Sequence, residues 1–220
     1  MIERKFIEDK VKEHQIKEFL KTRLAGTGYS RSEIQKTPLG VRIVIYSSKP
    51  GLIVGRKGLN IQQITSILKE KFKLENPSVE VRQVEIPELD PQIMAERIAT
   101  QISRFGVQRF KAIGHKNLAR IMNAGAIGVE IKIAGKVPGK RAKYWKFRQG
   151  YLPKCGHASY TQVKEGFVGV MLKPGVVGVT VKILPPGARM PDSIELKERE
   201  EEEGELPEEE LKQMEGERWR

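Results

Sequence analysis

Cysteine is almost absent from this chain. Cys155 is the only one in 220 residues, so no disulfide can close within it, which fits a reducing compartment. Cys155-Gly156-His157 has the outline of half a metal site. His14 and His115 lie far off in sequence and no second cysteine pair completes it, so no metal is expected. Three scattered histidines also give no nucleophile, base and orienting acid to assemble, and no catalytic residue is expected. No apolar run approaches the ~20 residues of a membrane span. The opening MIERKFIEDK carries acids and no apolar core of a signal peptide. A cytoplasmic chain with no membrane partner is the expectation.

What the chain has in abundance is positive charge, unevenly spread. The net charge is +12, yet from Asp192 onward 13 acidic residues face 5 basic ones, a balance of −8, which leaves +20 on residues 1–191. Lysines and arginines at that density repel one another unless a polyanion neutralises them, and nucleic acid is the polyanion that fits. The basic residues are not gathered on one amphipathic helix, as a membrane-surface binder would have them.

The stretch that gives this charge a use is Gly51 to Gly58, GLIVGRKG. Ahead of it Val41, Ile43 and Ile45 alternate with Arg42, Val44 and Tyr46 as in a strand. Behind it Ile61, Ile64, Leu68 and Phe72 fall on one helical stripe, with Ile67 beside it. Gly55 and Gly58 leave the backbone free to approach a nucleic-acid strand, Arg56 and Lys57 face its phosphates, and the amides opening the helix add positive partial charge. Other glycine motifs fail on spacing. Lys57 is followed by Gly58 rather than by the serine or threonine of a Walker A loop, and Ile53 occupies the second glycine position of the dinucleotide fingerprint. No cofactor is called for. Val79 and Val81 begin the next strand. The order strand, apolar turn, GxxG, helix, strand resembles a KH domain, a module that clamps about four nucleotides of single-stranded RNA.

Before this core, Ile7, Val11, Ile16, Phe19, Leu20 and Leu24 predict a long amphipathic helix ending near Gly26. Ser32 to Lys36 predict a strand turned by Thr37-Pro38-Leu39-Gly40. A helix and a strand preceding the KH core is the type II arrangement. After it, Asp90-Pro91 predicts a helix cap and first turn, with Met94, Ile98, Ile102 and Phe105 on the buried stripe up to Gly106. A further helix with Ile113, Leu118, Ile121 and Met122 inward closes at Gly125. The strand Ile127, Val129, Ile131, Ile133 follows. Gly125-Ala126-Ile127-Gly128 is a second GxxG, but it is uncharged and joins helix to strand, so it is not a second KH loop.

Gly135 to Tyr151 is the most basic stretch, with Lys136, Lys140, Arg141, Lys143, Lys146 and Arg148 and no acid. These six cations are assigned to RNA phosphates. Of the interleaved rings, strand alternation sends Tyr144 with Lys146 to one face and Trp145 with Phe147 to the other, where they are expected in the core. Two more strands are expected between Phe167 and Leu184, broken at Lys173-Pro174-Gly175. From Ser193 the chain is Glu-rich, expected to form a solvated helix or disorder. The fold class is therefore α+β: a type II KH domain over residues 1–87, a smaller α+β C-terminal domain over 88–187, and an acidic tail over 188–220.

PGLIVGRKG at Pro50 to Gly58, MNAGAIGVEIKIAGK at Met122 to Lys136, RAKYWKFRQGYL from Arg141 and VMLKPGVVGVTVKI ending at Ile183 occur in one order. In that order they resemble the third-protein family of the small ribosomal subunit, in its archaeal form. The resemblance implies a structural role in the head of the small subunit, bound to small-subunit ribosomal RNA beside neighbouring head proteins and lining the channel by which messenger RNA enters. It implies no enzyme. It also carries over a basic cluster at the start of the C-terminal-domain helix, which falls here on Lys111 and Lys116 with Arg109 just ahead. Ala112 stands where bacterial relatives have an arginine and His115 replaces another cation. A free-standing KH regulator of messenger RNA would share only the first domain. A lysine acting on abasic DNA would need a desolvated lysine or paired base that the sequence does not display.

Overall fold

The computed structural model describes residues 2–37, 40–74, 76–188 and 190. Pro38 and Leu39 of the predicted turn, and the Glu-rich stretch from Ser193, lie outside the described residues. Two sheets lie within one compact unit that ends at Ala188.

The first sheet is built by α1 (Ile2–Arg23), β1 (Tyr29–Thr37), β2 (Gly40–Ser47), α2 (Pro50–Val54), α3 (Leu59–Phe72) and β3 (Ser78–Gln83). β1 and β2 form an antiparallel hairpin, closed by Thr37 Oγ1 donating to the Gly40 carbonyl at 2.7 Å, and β3 pairs with β2 in parallel. Strand periodicity sends Ile43 and Ile45 to one face, where Ile16, Leu20 and Leu24 at the end of α1 and Ile64 and Leu68 of α3 bury against them. Complete burial of a leucine such as Leu68 contributes about 1.5–3 kcal/mol. On the other face Val44 is buried between its cross-strand neighbours Glu33 and Glu80, and polar pairs form around it. Arg42 Nη2 donates to Glu80 Oε2 at 2.5 Å, and Tyr46 OH donates to Glu33 Oε2 at 3.2 Å. The helix–strand–strand–helix–helix–strand order is that of the type II KH fold.

The second sheet follows from α4 (Pro91–Phe105), α5 (Phe110–Asn123), β4 (Gly128–Gly135), β5 (Lys143–Gly150), α6 (Gly156–Thr161), β6 (Lys164–Leu172) and β7 (Gly175–Leu184). Its order is β5-β4-β7-β6, all antiparallel. The alternation of β4 and β7 puts Val129, Ile131, Ile133, Val177, Val179, Val181 and Ile183 on one face, against Met94, Ala95, Ile98 and Ile102 of α4 and Phe110, Ile113, Leu118 and Ile121 of α5. α4 starts where the sequence says it should. Asp90 Oδ1 accepts the Gln92 and Ile93 amides at 3.0 and 3.2 Å, and Pro91 takes the first helical position.

The two sheets are tied through carboxylates. Glu96 of α4 accepts the amides of Gly26 and Gly28 at the end of α1, and Asp90 also accepts the Ser30 hydroxyl. Three details differ from the sequence expectation. The stripe of α1 is buried only from Ile16 onward, with Ile7 and Val11 exposed; Phe105, the last residue of α4, is exposed; and Leu52 to Val54 belong to a short helix rather than a turn.

Candidate nucleic-acid interface

Between α2 and α3 the chain runs through Gly55, Arg56, Lys57 and Gly58 with unusual dihedrals. Gly55 has φ +72° and Gly58 φ +76°, and Lys57 is also left-handed at φ +52°. A side chain at Gly55 would strain the backbone and put its Cβ 2.6 Å from Asn60 Nδ2. Asn60 is needed there, because its amide donates to the Leu52 carbonyl at 3.3 Å and fastens the loop to α2. Arg56 and Lys57 are fully on the surface. No side chain caps the first turn of α3, whose Leu59 amide donates to the Arg56 carbonyl.

The second cluster is assembled by aromatic packing. Phe110 is buried at the start of α5 and meets Trp145 and Phe147 of β5 at ring-centroid distances of 5.3 and 6.4 Å; Trp145 Nε1 donates to the Val137 carbonyl at 3.3 Å. Phe147 reaches α5 because residue 114 is glycine: a Cβ there would sit 2.6 Å from the ring. These contacts hold the edge strand β5 on α5. As a result α5, with Lys111 and Lys116 exposed along it and Arg109 exposed just ahead, lies beside the basic strand, and Lys111 Nζ lies 5.1 Å from the Trp145 ring centroid, while Lys146 and Arg148 take the opposite face of the sheet. Ala112 and His115 lie exposed among them, His115 edge-on to Phe147. Lys136, Lys140 and Arg141 are exposed at the β4–β5 connection, and Lys143, Lys146 and Arg148 along β5. As alternation requires, Phe147 is buried and Trp145 packs on the core, while Tyr144 is exposed.

Part of the positive charge is neutralised within the fold. Arg31, Lys36, Arg42, Arg97, Lys154 and Lys182 each hold a carboxylate. Among the described residues no acid pairs with Arg56 or Lys57 of the loop, nor with any of the nine cations on α5, β5 and their connection. Their field is uncompensated, the arrangement that attracts a polyanion. The GxxG loop and the nine cations lie on different sheets' elements, giving two basic regions, the second of which wraps the edge strand β5. Sequence reasoning passed over Lys132, whose place on β4 brings it beside Tyr144; the alternation of β4 was the available signal. Among the described residues no group of three or more His, Cys, Asp or Glu is placed to hold a metal ion, and no helix is long and apolar enough to cross a membrane.

Comparison with known proteins bears on both sheets. A KH domain model matches residues 15–89, and a model described as ribosomal protein S3, C-terminal domain, matches residues 98–183. Small ribosomal subunit protein uS3 of Methanosphaera stadtmanae is 46% identical over 200 residues, 91% of this chain and 79% of that protein. The uS3 proteins of Methanobrevibacter smithii and Methanocaldococcus jannaschii are 44% and 43% identical, the latter over 90% of this chain and 94% of its own length.

Proposed function

Because the chain belongs to the family of small ribosomal subunit protein uS3, we propose that its two unpaired basic regions are the contacts by which it holds ribosomal RNA. The protein is a structural, non-enzymatic component of the small subunit in the cytoplasm, and it binds ribosomal RNA there. Gly55, Arg56, Lys57 and Gly58 bring backbone and charge to one RNA segment. Arg109, Lys111, Lys116, Lys136, Lys140, Arg141, Lys143, Lys146 and Arg148 take the phosphates of another. With both engaged, the polypeptide fixes RNA elements that would otherwise repel each other, in the subunit head and beside other head proteins. The α5 cations also face the incoming messenger RNA at the entry channel, more weakly than a full cluster would because Ala112 and His115 interrupt it.

The observation that carries this reading is that these cations, exposed and free of carboxylate partners among the described residues, are gathered on one glycine-bounded loop and around the edge strand β5. Its test is the affinity of the full chain for small-subunit ribosomal RNA across a salt series, for the wild type and for Arg56→Asp with Lys57→Asp. Each lost phosphate contact lowers the slope of log affinity against log salt by about 1, and the double variant should lose affinity while its melting curve is unchanged. An unaltered slope removes the loop from the interface. For the entry channel, photo-crosslinking from thiouridine placed downstream in a bound messenger should label the peptide spanning Arg109 to Lys116. Labelling elsewhere rejects that placement.

A further inference from the structure

The face of the four-stranded sheet turned away from α4 and α5 is open toward Tyr144 and Phe167 and covered at the end where Glu130 and Leu184 are buried, and its side chains form ordered rows across the strands. Tyr144, Ala134, Gly178 and Gly169 are cross-strand neighbours in the first row; Lys146, Lys132, Thr180 and Phe167 in the second; Arg148, Glu130, Lys182 and Glu165 in the third. Tyr144 on β5 is 63% exposed and Phe167 on β6 is 54% exposed, so neither ring serves the core. The ammonium groups of Lys132 and Lys146 lie 5.5 and 5.3 Å from the Tyr144 ring centroid. The Phe167 ring leans over Gly178, 3.2 Å from where a Cβ there would stand, so the sheet between the two rings is low.

Charge decides what such a surface accepts. Its two carboxylates are already neutralised within the fold, Glu165 by Lys182 at 3.1 Å and Glu130 by Lys154 at 3.4 Å. Lys132, Lys146 and Arg148 hold no acid among the described residues. What remains is unpaired positive charge on β4 and β5 beside Tyr144, with the second exposed ring, Phe167, roughly 16 Å across the sheet, three strand spacings plus a two-residue offset. We infer that this sheet face is a platform for single-stranded RNA, on which Tyr144 and Phe167 stack unpaired bases while Lys132, Lys146 and Arg148 take the intervening phosphates. Bases inside a duplex cannot reach rings lying on a sheet, whereas splayed bases can, and stacking is indifferent to base identity. The inference rests on the RNA-binding reading above and adds the kind of RNA and the residues that touch its bases.

The experiment is a titration of the full chain with a short fluorescent oligouridylate and, separately, with duplex RNA of the same length. Tyr144→Ala and Phe167→Ala should each weaken oligouridylate binding by about tenfold. Neither should change the salt slope, since no charge is lost, nor the duplex affinity. On the wild-type protein, iodouridine crosslinking should label peptides containing Tyr144 and Phe167, a readout independent of how the variants fold. If both variants bind oligouridylate like the wild type and the crosslinks fall elsewhere, the platform is wrong; the broader reading still stands if neutralising Lys143, Lys146 and Arg148 weakens ribosomal RNA binding. If the variants bind RNA normally but fail to enter small subunits, the face docks a protein and the inference is overturned. A wild type that binds no RNA defeats both.

Discussion

In the KH sheet two cations depend on the path of the backbone, whereas in the four-stranded sheet nine cations depend on elements that would form without them. Arg56 and Lys57 are presented by a loop held in shape by Gly55, Gly58 and a left-handed Lys57, and fastened by Asn60. Lys143, Lys146 and Arg148 ride on a regular strand anchored from behind by Trp145 and Phe147. One region is therefore sensitive to conformation and nearly indifferent to distant packing. The other depends little on local backbone shape but relies on a small contact between α5 and β5.

Gly114→Val tests that difference most severely. Its side chain must displace the Phe147 ring, at a cost of about 1–3 kcal/mol in a chemical denaturation series. It should also loosen β5 and lower the affinity contributed by its cations, while Arg56 and Lys57 keep theirs. If stability is unchanged, β5 is not held as described. Gly55→Ala is the matching probe of the loop. It forces alanine to a positive φ and against Asn60, for about 1 kcal/mol of stability. RNA affinity should fall by more than the stability loss suggests, because the loop itself is the contact. Equal affinity for RNA would sever the loop's shape from its function.

The smallest effect concerns the polar face of the KH sheet. Hydrogen bonding from Arg42 holds the Glu80 carboxyl below its ordinary range, and the same bond to Glu80 raises Arg42. A depressed folded-state value means that the unfolded chain takes the proton first. The stabilisation is therefore complete above the unfolded glutamate value of about 4.3 and is lost as pH falls below it. Both groups are substantially exposed, so the contribution is small and screened by salt. In melting scans from neutral to acid pH, the gap between wild type and Arg42→Gln should close on the acid side. A gap that persists in acid assigns the difference to Arg42 packing instead.

Much of this architecture could be read from residues alone, wherever a local rule acts by itself. Asp90-Pro91 starts α4, GxxG leads into α3, Val177 to Ile183 alternate into the core, and Trp145 and Phe147 turn inward. What escaped depends on partners distant in sequence. A stripe of apolar residues announces a face but not whether anything covers it, which is why Ile7, Val11 and Phe105 stand exposed. The helices α2 and α6, five and six residues long, are too short to show a period. Gly114 matters only because Phe147 lies across from it, and the freedom of Lys143 from any carboxylate became visible only once the strands were paired.

The central claim, that this chain is held by charge within the small ribosomal subunit, is tested most directly by sedimenting it in cell extract. At low salt it should travel with the small subunit, and a rising salt wash should release it as phosphate contacts are lost. A chain that stays at the top of the gradient at low salt would contradict the account.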